Sequence, residues 1–258
     1  GEVYSLARAM NVSPSSLLDF SSNANIFARP LTQELLEKAL PPFEYYPDSA
    51  CAELIETISL HESVETERIL PGNGAADLIW LAIQSLSPGK VLCIGPIFSE
   101  FIKALRAFGI PYDIIPTSPD LAFTPGPCEL EKIWASDADL VVMCTPNNPA
   151  AVTYDKLGSL FEMLRSPRVI IDNSYREFLY GSPDYAVNHF NAYHKYLRPG
   201  VSLFTLHSFT KFFCCPGIRL GYIMGDRAQL SRMAKLRPAW NIGSHAQYMG
   251  RVFLHNIE

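Results

Sequence analysis

The sequence predicts a three-layer α/β fold with a mostly parallel sheet, and two features predict it. Short apolar runs recur without polar alternation, as in strands whose two faces are both covered. Helical patterns alternate with these runs, which places helices on both faces of the sheet. The predicted strands are residues 91–95, 140–144, 169–172, 203–208 and 221–224. The predicted helices of this pattern are residues 75–86, 98–108, 155–164 and 227–236.

The N-terminal segment has a different character. Residues 20–30 are polar and irregular, which predicts a loop. A short helix is predicted over residues 31–40. Pro41 and Pro42 terminate it, because proline lacks the amide hydrogen that a helix interior needs.

The composition excludes several classes of protein. Of the 258 residues, 48% are hydrophobic and 18% are charged, so we expect one or two domains with a sizeable core. No apolar run approaches the roughly 18–20 residues of a membrane helix, and no basic-then-apolar leader is visible. The net charge of −5, without a block of like charge, argues against a nucleic-acid partner. We therefore expect a soluble, cytoplasmic protein.

Cysteine and histidine, six of each, are dispersed along the chain. None of them forms the CxxC, HxxH or HExxH spacing that is typical of metal or redox sites. The sequence therefore predicts reduced, mostly buried thiols and no metal site.

Polar and aromatic residues that could bind a ligand or take part in a reaction follow the predicted strands. In open α/β sheets, ligands bind at the carboxyl ends of the strands, so these residues are candidates for one site. They are the glycine-rich turn at residues 72–76, Phe98, Asn148, Asp172, Tyr175, Lys211 and Arg219.

Five motifs carry a resemblance to a known family. They are G-N-G-A at residue 72, P-I-F-S-E-F at 96, T-P-N-N-P at 145, D-N-S-Y at 172 and S-F-T-K-F-F-C-C-P-G-I-R-L-G-Y at 208. Each motif alone is weak, but their order and spacing are specific. From about residue 20 to its end, the sequence resembles fold-type I pyridoxal phosphate enzymes of aminotransferase class I and II. The resemblance implies pyridoxal 5′-phosphate as the cofactor and a homodimer as the assembly.

Lys211 and Asp172 are the two central candidates. Taken alone, Lys211 is an ordinary surface lysine, and Asp172 is a helix cap or turn former. The phenylalanines and cysteines around Lys211 favour a desolvated amine, which has a lowered pKa and reacts with aldehydes. The resemblance implies that Lys211 forms the Schiff base with the cofactor and then moves protons at the substrate Cα. It implies that Asp172 binds the pyridine nitrogen and completes the electron sink.

The resemblance gives each remaining candidate a role. Tyr175 and Asn148 would hydrogen-bond the ring oxygen, Phe98 would stack on the ring, and Asn23 would contact the substrate together with Asn148. Tyr46 would reach the cofactor phosphate of the partner subunit. The phosphate would be held by Gly74, Ala75, Ala76, Ser208, Thr210 and Arg219. Core packing of Phe98 and turn positions for Tyr46 and Asn148 are the ordinary alternatives.

The resemblance also implies a domain organisation. Residues 1–30 would form an arm that belongs to a small domain, and residues 31–258 would form the large cofactor-binding domain. Relatives continue into a C-terminal part of the small domain with arginines for the substrate carboxylate. We therefore expect a longer gene product, and we expect the 258-residue portion alone to be inactive.

Two departures from the family pattern concern the loops. Pro149 is followed by two alanines where the family usually has N-P-x-G, so this turn is expected to differ. Asp172 is followed by Asn-Ser where Glu-Ala is frequent, which affects contacts around the site rather than in it.

The N-terminal segment bears on the reaction. Residues 16–25 (S-L-L-D-F-S-S-N-A-N) resemble the opening of the threonine-phosphate decarboxylases of this family, which act in cobalamin biosynthesis. The sequence therefore favours decarboxylation of a small phosphorylated amino acid. Amino transfer, as in histidinol-phosphate aminotransferases, is the first alternative. A non-catalytic regulator that binds pyridoxal phosphate is the second, and an α/β protein that binds some other phosphate is the third.

Overall fold

A seven-stranded sheet forms the centre of the protein. The computed structural model describes residues 2–38, 41, 44–154 and 157–257. The strands are β1 (Ile69–Gly72), β2 (Val91–Ile94), β3 (Tyr112–Ile115), β4 (Leu140–Cys144), β5 (Arg168–Asp172), β6 (Ser202–Ser208) and β7 (Gly221–Met224). Their order is β1-β7-β6-β5-β4-β2-β3. β7 pairs antiparallel with both β1 and β6, and the other pairs of these strands are parallel. The mostly parallel sheet of the sequence analysis is thereby confirmed.

Helices cover both faces of the sheet. Those of the described chain are α1 (Val3–Met10), α2 (Arg29–Lys38), α3 (Ala52–Glu62), α4 (Gly74–Leu86), α5 (Ser99–Ala107), α6 (Pro127–Ala135), α7 (Leu157–Met163), α8 (Pro183–Val187), α9 (Phe190–Tyr193), α10 (Phe209–Phe212), α11 (Arg227–Leu236) and α12 (Ser244–His255). On one face α4, α5 and α11 bury Ile79, Phe101 and Met233, and on the other α3 and α12 bury Ile58 and Phe253. Burial on both faces explains why the central strands are continuously apolar.

Most elements that the sequence predicts are present at nearly the predicted bounds. β4, β7 and α11 match residue for residue, α4 begins one residue earlier than predicted, and α5 is one residue shorter at each end. The last residues of the predicted helix 31–40, and the first two of the predicted helix 155–164, lie outside the described residues. The division into residues 1–30 and 31–258 stays a prediction.

The strands that sequence reasoning missed are atypical. β1 contains Pro71, and β3 has an exposed side chain at Asp113 on the sheet edge, so neither has the continuous apolar pattern of a buried strand. Four of the six cysteines are buried, Cys128 is exposed, and all six carry free thiols. Among the described residues, no helix combines the length and apolarity needed to cross a membrane.

A buried ion pair fastens α3 to the chain that follows β5. The Glu62 carboxylate is fully buried and accepts hydrogen bonds at 2.9 and 2.8 Å from Arg176, which is itself 2% exposed. Tyr222 of β7 donates its phenol hydrogen to the same carboxylate, and His189 Nε2 lies 2.9 Å from it. Burial acts to raise the pKa of Glu62, but the His189 hydrogen bond and the Arg176 charge outweigh it and hold that pKa far below its usual value.

Removing this arginine should destabilise the fold. Arg176→Met leaves the Glu62 carboxylate without its counter-charge, and breaking a buried pair costs about 3–5 kcal/mol. We expect that loss in the free energy of unfolding measured by urea titration at neutral pH. Because the folded pKa of Glu62 is depressed, its contribution is present above the ordinary glutamate pKa and is lost on acidification. The difference between wild type and variant should therefore shrink below about pH 4.

An exposed ion pair provides the matched control. Arg227 lies 3.3 Å from Glu65, and both side chains are more than half exposed. Glu65→Gln should cost less than about 1 kcal/mol, since water already solvates both charges. An equal loss in the free energy of unfolding for Arg176→Met and Glu65→Gln would contradict the claim that the buried pair stabilises the fold more than an exposed pair does.

Candidate active site

A cavity of about 520 Å³ opens at the carboxyl ends of β2, β4, β5 and β6. This is the edge of the sheet at which the sequence places its candidates. Of the thirteen candidates named by residue, eleven line the cavity: Asn23, Ala75, Ala76, Phe98, Asn148, Asp172, Tyr175, Ser208, Thr210, Lys211 and Arg219. Gly74 lies directly behind Arg219, and Tyr46 lies elsewhere.

Lys211 lies in α10, the short helix that follows β6. Ser208 caps this helix by accepting a hydrogen bond from the Thr210 amide, and Phe209 and Phe213 anchor it in the core. Lys211 is half-buried, and burial lowers the pKa of its amine. The Arg219 charge lowers that pKa further, while the Asp172 charge opposes the shift. A lowered pKa increases the fraction of neutral, nucleophilic amine near neutral pH.

Asp172 ends β5 and is 4% exposed. Its Oδ1 accepts a hydrogen bond of 3.0 Å from the Ser174 amide. Burial raises the pKa of this carboxyl, against the opposing effects of the Ser174 hydrogen bonds and the Lys211 charge. A buried carboxylate of this kind favours a cationic partner beside it. The attraction between the two charges compensates for the hydration that the carboxylate loses on burial.

An anion cradle lies at the N-terminus of α4. Gly74 has a φ of +83°, and a Cβ atom at this position would lie 2.4 Å from Arg219 Nη2. The absent side chain therefore lets the guanidinium rest against the first turn of a 13-residue helix, whose free amides favour anions. The Ser208 and Thr210 hydroxyls are hydrogen-bonded to each other at 2.7 Å on the same side of the cavity. Together these groups can hold a phosphate.

Two hydrogen-bonding side chains stand at the cavity mouth. Asn148 follows β4, and its Oδ1 accepts a hydrogen bond of 2.9 Å from Asn23 Nδ2. Tyr175 follows β5 and is half-buried, and burial raises the pKa of its phenol to about 12, although a hydrogen bond with Asn23 acts in the opposite direction. The phenol is therefore protonated at neutral pH and can donate its hydrogen.

Tyr46 is the candidate that the structure does not bring to the cavity. Its side chain is 79% exposed, and its ring stacks on Trp240 with 4.7 Å between centroids. Its reach into a partner subunit stays a prediction.

Six lining residues were not among the candidates: Ser21, Ile97, Ser99, Cys144, Pro149 and Ser174. All but Ser21 are next to a predicted site residue or end a predicted strand, so their place in the motifs was a usable signal. Ser21 lies two residues before the predicted Asn23, in the N-terminal segment that resembles the decarboxylase opening, and this segment was its signal.

Residues 15–257 match the sequence profile described as aminotransferase class I and II. The chain belongs to this family. The family depends on pyridoxal 5′-phosphate, which confirms the predicted cofactor and identifies the chain as part of a pyridoxal-phosphate-dependent enzyme.

Two curated relatives represent two branches of the family. A threonine-phosphate decarboxylase of Salmonella typhimurium is 28% identical over 262 residues, which cover 99% of this chain and 70% of that protein. A histidinol-phosphate aminotransferase of Desulfitobacterium hafniense is 28% identical over 250 residues, which cover 92% of this chain and 65% of that protein. The chain thus spans about two thirds of the length of these relatives.

A solved structure of the family has the same fold. The histidinol-phosphate aminotransferase of Clostridium acetobutylicum superposes with a TM-score of 0.71 at 26% identity, over 92% of this chain and 69% of that one. The fold class expected from the sequence is thus confirmed.

Filling the space at Gly74 should weaken binding of the cofactor phosphate. In Gly74→Ala the new Cβ displaces Arg219, and alanine at this positive φ costs about 1–2 kcal/mol. We expect the dissociation constant of pyridoxal phosphate, measured by fluorescence titration, to rise about tenfold or more, since a charge-assisted hydrogen bond is lost.

Gly217→Ala is the matched control, since nothing lies within 4 Å of its Cβ position. The dissociation constant of pyridoxal phosphate from the Gly217→Ala variant should equal that of the wild type. An unchanged constant in Gly74→Ala would argue against a phosphate at this cradle.

Proposed function

We propose that the chain forms the cofactor-binding part of a decarboxylase that acts on L-threonine O-3-phosphate. One observation carries the proposal: the arm segment that resembles the decarboxylase opening brings Asn23 to the cavity that holds Lys211 and Asp172. The similarity to a threonine-phosphate decarboxylase over 99% of the chain supports it. Amino transfer is the second candidate, because histidinol-phosphate aminotransferases reach the same identity.

The cavity has the donor set that pyridoxal phosphate needs. The cradle at Gly74 fits a phosphate, and Arg219, Ser208, Thr210 and the amides of α4 would hold it. Asp172 would bind the pyridine nitrogen, Phe98 would cover the ring, and the Lys211 amine would take the aldehyde. When bound, the cofactor supplies an electron sink for the negative charge that develops at the substrate Cα.

Asp172 would keep the pyridine nitrogen protonated. The carboxylate is buried, so a positive group beside it stabilises its negative charge strongly. A ring nitrogen that carries a proton is such a group, and the two charges then raise the proton affinity of the nitrogen and lower that of the carboxyl. The buried aspartate thereby increases the electron-withdrawing power of the ring.

Lys211 would carry out covalent capture and proton transfer. Burial and the Arg219 charge lower the pKa of its amine, so the neutral form is available as a nucleophile. Once a substrate amine replaces it, the same neutral amine can accept or return a proton at the Cα position. Tyr175 and Asn148 would donate hydrogen bonds to the ring oxygen beside the reacting carbon.

We also propose a homodimer in which Tyr46 contacts the partner's cofactor phosphate. Its exposed ring, braced by Trp240, is available at the surface of this chain rather than in its own cavity. Sedimentation equilibrium tests the assembly, and a single-chain mass would contradict it.

The reaction itself decides between the two candidates. The full-length protein that contains this chain should release CO₂ from threonine phosphate in the presence of pyridoxal phosphate. Conversion of the cofactor to pyridoxamine phosphate by histidinol phosphate, without CO₂ from threonine phosphate, would assign the protein to the aminotransferases.

Replacing Lys211 should abolish covalent capture while the protein stays folded. Lys211→Ala removes the amine, so borohydride treatment should no longer fix the cofactor to the protein, as measured by mass spectrometry. Lys132→Ala, an exposed lysine of α6, is the control and should be labelled like the wild type. Cofactor fixed at another lysine in Lys211→Ala would overturn the assignment.

A further inference from the structure

The N-terminal arm, residues 17–28, is held mainly by polar contacts with the site. Its apolar side chains do not anchor it, because Leu18, Phe20 and Phe27 are 86–92% exposed. Instead, the Asn25 amide donates a hydrogen bond of 2.8 Å to the Lys211 carbonyl oxygen. This bond fixes the arm relative to the short helix that carries the lysine, and it places Asn23 two residues earlier at the cavity mouth.

Asn23 connects the two neutral side chains at that mouth. Its Nδ2 donates to Asn148 Oδ1 at 2.9 Å, across 125 positions of sequence. It also lies close enough to the Tyr175 phenol to act on the pKa of that group, which it lowers against the effect of burial. Within the described residues, the Asn148 side chain makes no other hydrogen bond. The orientation of the Asn148 amide therefore depends on Asn23.

An asparagine amide presents an acceptor on one side and a donor on the other. Once Asn23 takes the oxygen of Asn148, the NH₂ group of Asn148 must face the remaining space, which is the cavity. We propose that Asn23 is a positioning residue for the cofactor, which turns the Asn148 amide so that a donor faces the ring oxygen. This inference rests on the proposed function, because it requires the cofactor ring in this cavity.

The consequence is electrostatic. When the nitrogen of the Lys211 Schiff base is neutral, the neighbouring ring oxygen bears its negative charge alone. When that nitrogen is protonated, its own hydrogen partly satisfies the oxygen. A donor from Asn148 therefore favours the neutral form and lowers the pKa of the Schiff base. Losing the donor should raise that pKa.

Other titratable groups line the same cavity, and they contribute to the titration of the amine in the wild type. They are Asp172 of β5, Cys144 of β4, Tyr175 after β5 and Arg219 after α10. Asn23→Ala changes none of them chemically. It removes only an uncharged amide, so a change in the titration cannot come from a lost charge.

The test is a double-mutant cycle read by absorbance. The pKa of the Lys211-bound cofactor is measured by pH titration of its visible band in the wild type, Asn23→Ala, Asn148→Ala and the double variant. We expect Asn23→Ala to raise this pKa by about one unit, the effect of one hydrogen bond to a charged group. In the Asn148→Ala background the same substitution should add much less.

Asn25→Ala is the matched control, because the Asn25 side chain accepts from the Phe27 amide and its bond to Lys211 is made by the backbone. It should titrate like the wild type. An unchanged pKa in Asn23→Ala, or an equal shift with and without Asn148, would overturn the inference. A wild type without the visible band would instead contradict the proposed function, and the inference with it.

Discussion

The position of the chain that follows β5 depends on the buried pair of Glu62 and Arg176. Arg176 follows Tyr175 directly, so the bond to α3 holds the chain segment that carries the phenol. Tyr222 joins the same carboxylate, and in the register of the sheet it pairs with His207, next to Ser208. One carboxylate thereby ties together α3, β7 and the loop after β5. The network thereby holds the backbone beside two residues of the cavity, Tyr175 and Ser208.

Such a network carries a cost in stability. Burying an ion pair often gains nothing over an apolar replacement of equal volume, because both charges lose their hydration. Its advantage is that only one arrangement satisfies Glu62, with Arg176, His189 and Tyr222 converging on a single carboxylate. Apolar side chains could pack in several registers. The site must align an acid, a lysine and a phosphate cradle, and this alignment requires a single arrangement of the surrounding elements more than it requires additional stability.

The sequence predicted what local patterns encode. β4 and α11 follow from apolar runs and helical periodicity, and Lys211 and Asp172 follow from their places at strand ends. The pairing of Glu62 with Arg176 spans 114 positions, and no local preference for helix or strand reports such a contact. The arm was expected from the resemblance, but the contacts that hold it were missed for the same reason. Residues 20–25 are irregular as predicted, whereas residues 26–30 are helical, which the sequence analysis did not expect. The position of the irregular part at the cavity is determined by hydrogen bonds to Lys211 and Asn148.

The charges of the cavity do not distinguish the two branches of the family that match this chain at 28% identity. Among its described lining residues, Asp172, Lys211 and Arg219 are the charged ones besides the thiol and phenol groups that can ionise. In the proposed function the cofactor engages all three, through its ring nitrogen, its aldehyde and its phosphate. What remains for the substrate is neutral: Asn23, Asn148 and nearby serines. Neutral donors orient a substrate without selecting its charge. The described cavity therefore encodes the chemistry that decarboxylases and aminotransferases share, and the choice between them depends on which Cα bond these donors hold perpendicular to the ring.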